Sequence, residues 1–157
     1  MRQSAGALIT YGKKVLVLLR DDIPEIPDPG CWQLIGGYLE PNETPLEALI
    51  REIKEEANLQ ISKDEPIEIG RVVLFGKQEY FLYWIKLPES KIKNIKLGNE
   101  GQRIGFFSID ELEKMKLGSI VSGYLQEFKE GLRNIVEKER LNKSSLGFGE
   151  GGIIEIK

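Results

Sequence analysis

Histidine is absent from the 157 residues, and cysteine occurs once, as Cys31. Without histidine there is no Ser-His-Asp or Cys-His nucleophilic machinery, no histidine-ligated zinc and no imidazole acid–base switch. A lone cysteine permits neither an intrachain disulfide nor a thiolate zinc cluster. Metal chemistry in this chain therefore rests on oxygen ligands, which suit Mg²⁺, Mn²⁺ or Ca²⁺. Long apolar runs are missing too. The run Val15–Leu19 is far too short to span a bilayer, and no small-residue cleavage site follows it. The expectation is a soluble, cytoplasmic protein with no membrane partner. Nor is there an excess of positive charge. Lys and Arg number 22 against 25 Asp and Glu, and no basic cluster offers a footprint for duplex nucleic acid.

What is present is a globular balance, 41% apolar and 30% charged, sized for one domain. Ala7–Thr10 and Val15–Arg20 read as a hairpin around Gly12, and Asp21–Gly30, with three prolines, as a loop. Trp32–Ile35 reads as a strand ending in a turn at Gly36-Gly37. Ile67–Phe75, Tyr80–Leu87 and Arg103–Phe107 are further strands, with a polar excursion from Pro88 to Gly101. Ser108 with Glu111 is a capping box that opens a short helix to about Met115. The spacing of Val121, Tyr124, Leu125, Phe128, Leu132, Ile135 and Val136 predicts one long amphipathic helix. A domain over residues 1–141 and a Ser/Gly-rich tail over 142–157 are expected; for the tail, an added or swapped edge strand and a disordered end are both open.

The clearest helix follows Thr44, a good N-cap, with Pro45 at the first position and Glu47 completing a capping box. Its apolar stripe is Leu46, Leu49, Ile50, Ile53 and Ala57, and Asn58 stands where a left-handed residue ends helices. At 100° per residue, Glu52, Glu55 and Glu56 fall within an arc of about 100° beside that stripe. Arg51, at i, i+4, can brace Glu55. Three neighbouring carboxylates repel one another, and a divalent cation removes that repulsion. The alternative is a plain solvated acidic face.

The surroundings favour chemistry. Gly37, five residues, Glu43 and seven residues lead into Arg51-Glu52-Ile53-Lys54-Glu55-Glu56-Ala57-Asn58-Leu59. This resembles the Nudix box, Gly-x5-Glu-x7-Arg-Glu-(apolar)-x-Glu-Glu-x-Gly-(apolar), at eight of nine defined positions. Asn58 replaces the last glycine. Ile35 stands where many relatives have proline, which removes a φ restraint from the segment that presents Gly37. The resemblance implies an α+β Nudix fold, a mixed sheet sandwiched between helices. It also implies Mg²⁺- or Mn²⁺-dependent hydrolysis of a nucleoside diphosphate linked to a further group. Glu52, Glu55 and Glu56 would bind metal, one of them serving as base, with the Gly37 carbonyl as a further ligand. Arg51 and Glu43 would orient the site. Glu100, between Gly98 and Gly101 in a loop, is the candidate for a further glutamate recruited from outside the box.

The expected substrate is a small-molecule nucleotide, a (d)NTP or an oxidised dNTP, cleaved to monophosphate and pyrophosphate. Alternatives are ADP-ribose, a nucleotide sugar, a dinucleoside polyphosphate, the 5′ end of RNA, or a noncatalytic nucleotide-binding module. An isopentenyl diphosphate isomerase relative is excluded by the missing histidine. Arg20 is weighed as a phosphate contact, and Trp32, Tyr38 and Phe75 as base-stacking aromatics, against ordinary surface and core roles. A homodimer is left open, with the Ile153–Ile156 segment as a candidate contact.

Overall fold

The computed structural model describes residues 1–148 and 152–156. Strands β1 (Arg2–Tyr11) and β2 (Lys14–Leu19) form the expected hairpin. Gly12 and Lys13 both take positive φ, the twist a two-residue hairpin requires. With β3 (Trp32–Tyr38), β4 (Ile67–Leu74), β5 (Gln78–Lys86), β6 (Arg103–Phe107) and β7 (Ile153–Ile156), they build one sheet in the order β6-β2-β3-β1-β5-β4-β7. The β1–β5 and β4–β7 pairs are parallel and the rest antiparallel.

Both faces of the sheet are covered, so β1 is buried from Ser4 to Thr10 rather than alternating. Helix α1 (Pro45–Ala57) lies over Ala5, Ala7, Ile9, Leu16 and Ile35. Helices α3 (Ile109–Leu112), α4 (Ser119–Glu127) and α5 (Lys129–Lys138) cover Leu8, Val17, Leu34 and Leu82 on the other face. A one-turn helix, α2 (Glu89–Ile92), interrupts the polar excursion.

Two expectations change. Strand β3 does not stop before Gly36-Gly37. Ile35, fully buried, keeps its place opposite Ala7, and the ladder runs on through Gly37 opposite Ala5 to Tyr38 opposite Ser4. An N–H at position 35 leaves the strand free to continue, so Gly37 sits in a paired strand. The long C-terminal helix is two helices, broken at Phe128 (φ −132°, ψ 38°). Hydrophobic period cannot reveal that break, because the apolar stripe continues across it. Of the tail, Leu146 and Phe148 are buried in the core, and a Cβ on Gly70 would sit 2.5 Å from the Phe148 ring. Strand β7 is added at the sheet edge, parallel to β4. Residues 149–151 and 157 of that tail lie outside the described residues.

Candidate active site

Helix α1 begins as its sequence dictates. Thr44 Oγ1 accepts from Glu47 N, the Glu47 carboxylate accepts from Thr44 N, and Pro45 follows the cap. It ends on Asn58 in the left-handed conformation (φ 58°, ψ 30°), the role anticipated for this departure from the box. Asn58 adds what a glycine could not, since its Nδ2 donates to Asn94 O at 3.0 Å and ties the polar excursion to the helix end.

Arg51 organises the carboxylates. Its Nε and NH2 donate to the two Glu43 oxygens at 2.8 and 2.9 Å, a bidentate fork. Its NH1 reaches Glu52 Oε1 at 2.8 Å and Glu55 Oε2 at 3.3 Å, and NH2 also donates to Tyr38 O. Glu43 and Glu52 are only 13% and 17% exposed, while Glu55 is 58% exposed. The fork and the Glu40 N–H hold Glu43 well below the usual carboxylate range, at about 2. Burial pushes Glu52 upward against the pull of Arg51.

Glu56 stands differently. Its Oε1 accepts from Gly36 N at 2.8 Å, yet burial, with Glu52 and Glu100 nearby, raises its carboxyl to about 8. The two glycines of β3 let Glu52 and strand β1 come close. A Cβ on Gly37 would lie 2.5 Å from the Glu52 carboxyl carbon, and one on Gly36 would lie 2.1 Å from Ala5 O.

Glu100 reaches the helix through its loop. Gly98 N donates to Glu56 O and Lys96 N to Ala57 O, docking residues 96–98 on the end of α1. Gly101 N donates to Asp21 Oδ2 and Gln102 N to Leu19 O, fixing the other side. A Cβ on Gly98 would sit 1.9 Å from Glu55 O, so only glycine permits the docking. Gly98→Ala is therefore expected to cost about 1–3 kcal/mol of stability and to reduce turnover by displacing Glu100. Thermal melts and activity assays check this; unchanged values in both would mean that the loop docks otherwise.

These groups line a cleft of about 700 Å³. Glu52, Glu56, Glu100, Arg51 and Gly37 belong to its lining, and Glu55 lies outside it, at the rim. Arg20 also lines it. Its NH1 donates to Gln33 Oε1 at 2.9 Å, but its buried Nε has no partner among the described residues. Trp32 packs edge-on against Phe107 in the core, away from the cleft, whereas Tyr38 and Phe75 line it. Sequence reasoning missed Arg2, Gln78 and Ser119 in the lining. Strand register and the α4 start, not local motifs, bring them there. Asp28 accepts from Ser119 N and Oγ, each at 3.2 Å, tying the proline-rich loop to α4.

The donor set suits a hard divalent cation. Every titratable donor in the acidic part of the cleft is a carboxylate, and Glu56 carries a burial cost that added positive charge would relieve. Among the described residues, no three acidic, histidine or cysteine side chains yet converge to hold an ion. Glu52 is turned to Arg51 and Glu56 to Gly36, so side-chain rotation would accompany binding. No helix among the described residues is long and apolar enough to cross a membrane.

The mixed sheet between helical layers is shared with solved Nudix structures. A Nudix hydrolase from Nitrosomonas europaea superposes with a TM-score of 0.64 and 26% identity, covering 83% of this chain and 73% of that one. A MutT protein from Methanosarcina mazei gives 0.62 and 22%, covering 82% and 93%. The family model described as NUDIX domain matches residues 1–128, and the chain belongs to the Nudix hydrolase family. An RNA pyrophosphohydrolase of Nitratiruptor sp. is 32% identical, over 58% of this chain and 67% of that protein. A dihydroneopterin triphosphate diphosphatase of Haemophilus influenzae is 43% identical over 51 residues, 32% of this chain and 29% of that protein. The chain thus spans about two thirds of the first relative and under a third of the second.

Proposed function

We propose that the protein hydrolyses a (d)NTP, including one with an oxidised base, to the monophosphate and pyrophosphate, with Mg²⁺ or Mn²⁺. One observation carries the reading: Glu52, Glu56 and Glu100 share a cleft with an arginine, Arg20, whose buried Nε is unpartnered among the described residues. A carboxylate cluster repels a polyphosphate unless cations intervene, and a guanidinium with hydrogen-bonding capacity left over attracts one. In this reading Glu52, Glu55, Glu56, Glu100 and the Gly37 carbonyl hold the metal, with Glu55 turning in from the rim. The bound ion supplies charge neutralisation and activation of the attacking water. Arg51 holds Glu43 and Glu52 in place, and Arg20 binds phosphate oxygens. Water adds to a phosphorus of the anhydride, one glutamate carboxylate accepts its proton, and the bridging oxygen leaves with the bonding electron pair.

A second reading, cleavage at the 5′ end of RNA, is favoured by the Nitratiruptor relative. The net charge of −3 supplies no broad attraction for a long polyanion. The deciding experiment is product release from dNTPs, 8-oxo-dGTP, ADP-ribose, a nucleotide sugar, a dinucleoside tetraphosphate and 5′-triphosphate RNA, with Mg²⁺ and with EDTA. Mg²⁺-dependent pyrophosphate release, strongest with one (d)NTP, is the expected result. Preference for the RNA or for a diphosphate ester would overturn the substrate assignment and keep the chemistry.

A further inference from the structure

Phe75 serves no evident purpose in the fold. It belongs to neither core cluster and is 56% exposed. It also takes a left-handed conformation (φ 52°) beside Gly76 (φ 66°), with Lys77 N closing the turn on Leu74 O at 2.9 Å. That turn position favours Asn, Asp or Gly, and a bulky side chain adopts it under strain. A strained, exposed aromatic is a reason to look for a ligand.

Phe75 lines the same cleft as the carboxylates. Strand register defines its surroundings. Ser4 lies opposite Tyr38 on one side and Tyr80 on the other; Gln78 lies opposite both Arg2 and Leu74. Ser4, Gln78 and Tyr80 therefore form a floor from β1 to β5. Across it, the Arg2 guanidinium stands 3.4 Å over the Tyr38 ring. From β3 to β4 is three inter-strand steps, about 14 Å, room for a base with its sugar. Gln78 Nε2 donates to Ser4 Oγ at 2.8 Å, which leaves the amide oxygen to accept from a base N–H.

We propose that this end of the cleft is a base-recognition site, in which Phe75 stacks on the nucleobase, Gln78 meets its edge, and the Arg2–Tyr38 pair bounds the opposite side. The inference rests on the nucleotide reading given above and specifies which residues select the nucleoside part. The polyphosphate then points towards Arg20 and the glutamates.

The test is Phe75→Gly, which removes the ring and suits the left-handed turn. Its melting temperature is expected to equal or exceed that of wild type. For the preferred nucleoside triphosphate, KM is expected to rise about tenfold, the scale of one lost base–aromatic stack, with kcat within about twofold. Phe75→Trp should restore KM. Inhibition by inorganic tripolyphosphate, which has no base, should be unchanged. Nucleotide turnover with an unchanged KM in Phe75→Gly would overturn the base site and leave the hydrolase reading intact. An equal loss of tripolyphosphate affinity would also overturn it, showing a general effect on the cleft. Wild-type protein that turns over no nucleotide overturns both readings.

Discussion

Glu56→Gln is expected to cut Mg²⁺-dependent turnover by about 10³-fold, the scale of losing a charged group at a reacting centre, while making the metal-free protein more stable above neutral pH. The opposite signs come from one cause. Glu56 titrates near 8 in the fold against an ordinary value of 4.5, because burial next to Glu52 and Glu100 disfavours its charge. Between those values the folded state binds more protons than the unfolded chain. Wild-type stability should therefore fall as pH rises from about 4.5 through 8, by roughly 5 kcal/mol in all. Glutamine carries no charge, so the variant should lack this slope, and its amide oxygen can still accept from Gly36 N. Added Mg²⁺ should raise the wild-type melting temperature at pH 8 and leave the variant nearly unchanged. Melts across pH 4–9, with and without Mg²⁺, check the whole pattern. A variant less stable than wild type at pH 8 without metal would contradict it.

Arg51→Ala should show losses in both stability and activity. The side chain is 23% exposed and holds Glu43 with a fork while also binding Glu52, Glu55 and Tyr38 O. Removing it leaves two shielded carboxylates without their cation, at a cost of about 3 kcal/mol, or a fall of roughly 10 °C in melting temperature for a chain this size. The acid limb should change as well. Glu43 titrates near 2 in the fold, so its contribution is complete above about 4.5 and is lost as pH falls towards 2. In the variant Glu43 returns towards its ordinary value, and the protein should unfold at higher pH on acidification. Arg51→Lys keeps a charge but not the fork, and it should recover only part of the loss. Wild-type acid stability in Arg51→Ala would mean that Glu43 draws its support from elsewhere.

Where the chain's signals are local, the structure follows them. The capping boxes at Thr44 and Ser108, the left-handed end at Asn58, the two-residue turn at Gly12-Lys13 and the bounds of β6 depend on neighbours within a few positions. The box positions are equally legible, because one helix and one strand end carry most of them. What escapes is set by distant partners. The start of β1 is polar and joins the sheet only because β3 and β5 flank it. Glu55 and Glu56 share the helical arc, but one residue is 100° of rotation, enough to send Glu56 inward and Glu55 to the rim. Glu100 is identifiable as a candidate, but its placement depends on Gly98 meeting Glu55 O across 43 positions of chain. The base end of the cleft is the extreme case, since Arg2 meets Gln78 only through parallel pairing of β1 with β5.

The acidic end of the cleft is expected to hold a divalent cation on the Gly37 carbonyl and on carboxylates drawn from Glu52, Glu55, Glu56 and Glu100. Anomalous diffraction from crystals of the protein soaked in Mn²⁺ tests it most directly. The expected result is a peak in the cleft within ligand reach of Glu52, Glu56 and Gly37 O, with Glu52 or Glu56 turned from its present partner. A cleft without a peak while Mn²⁺ is bound elsewhere, or a peak held by Glu40 and Glu43 instead, would contradict it.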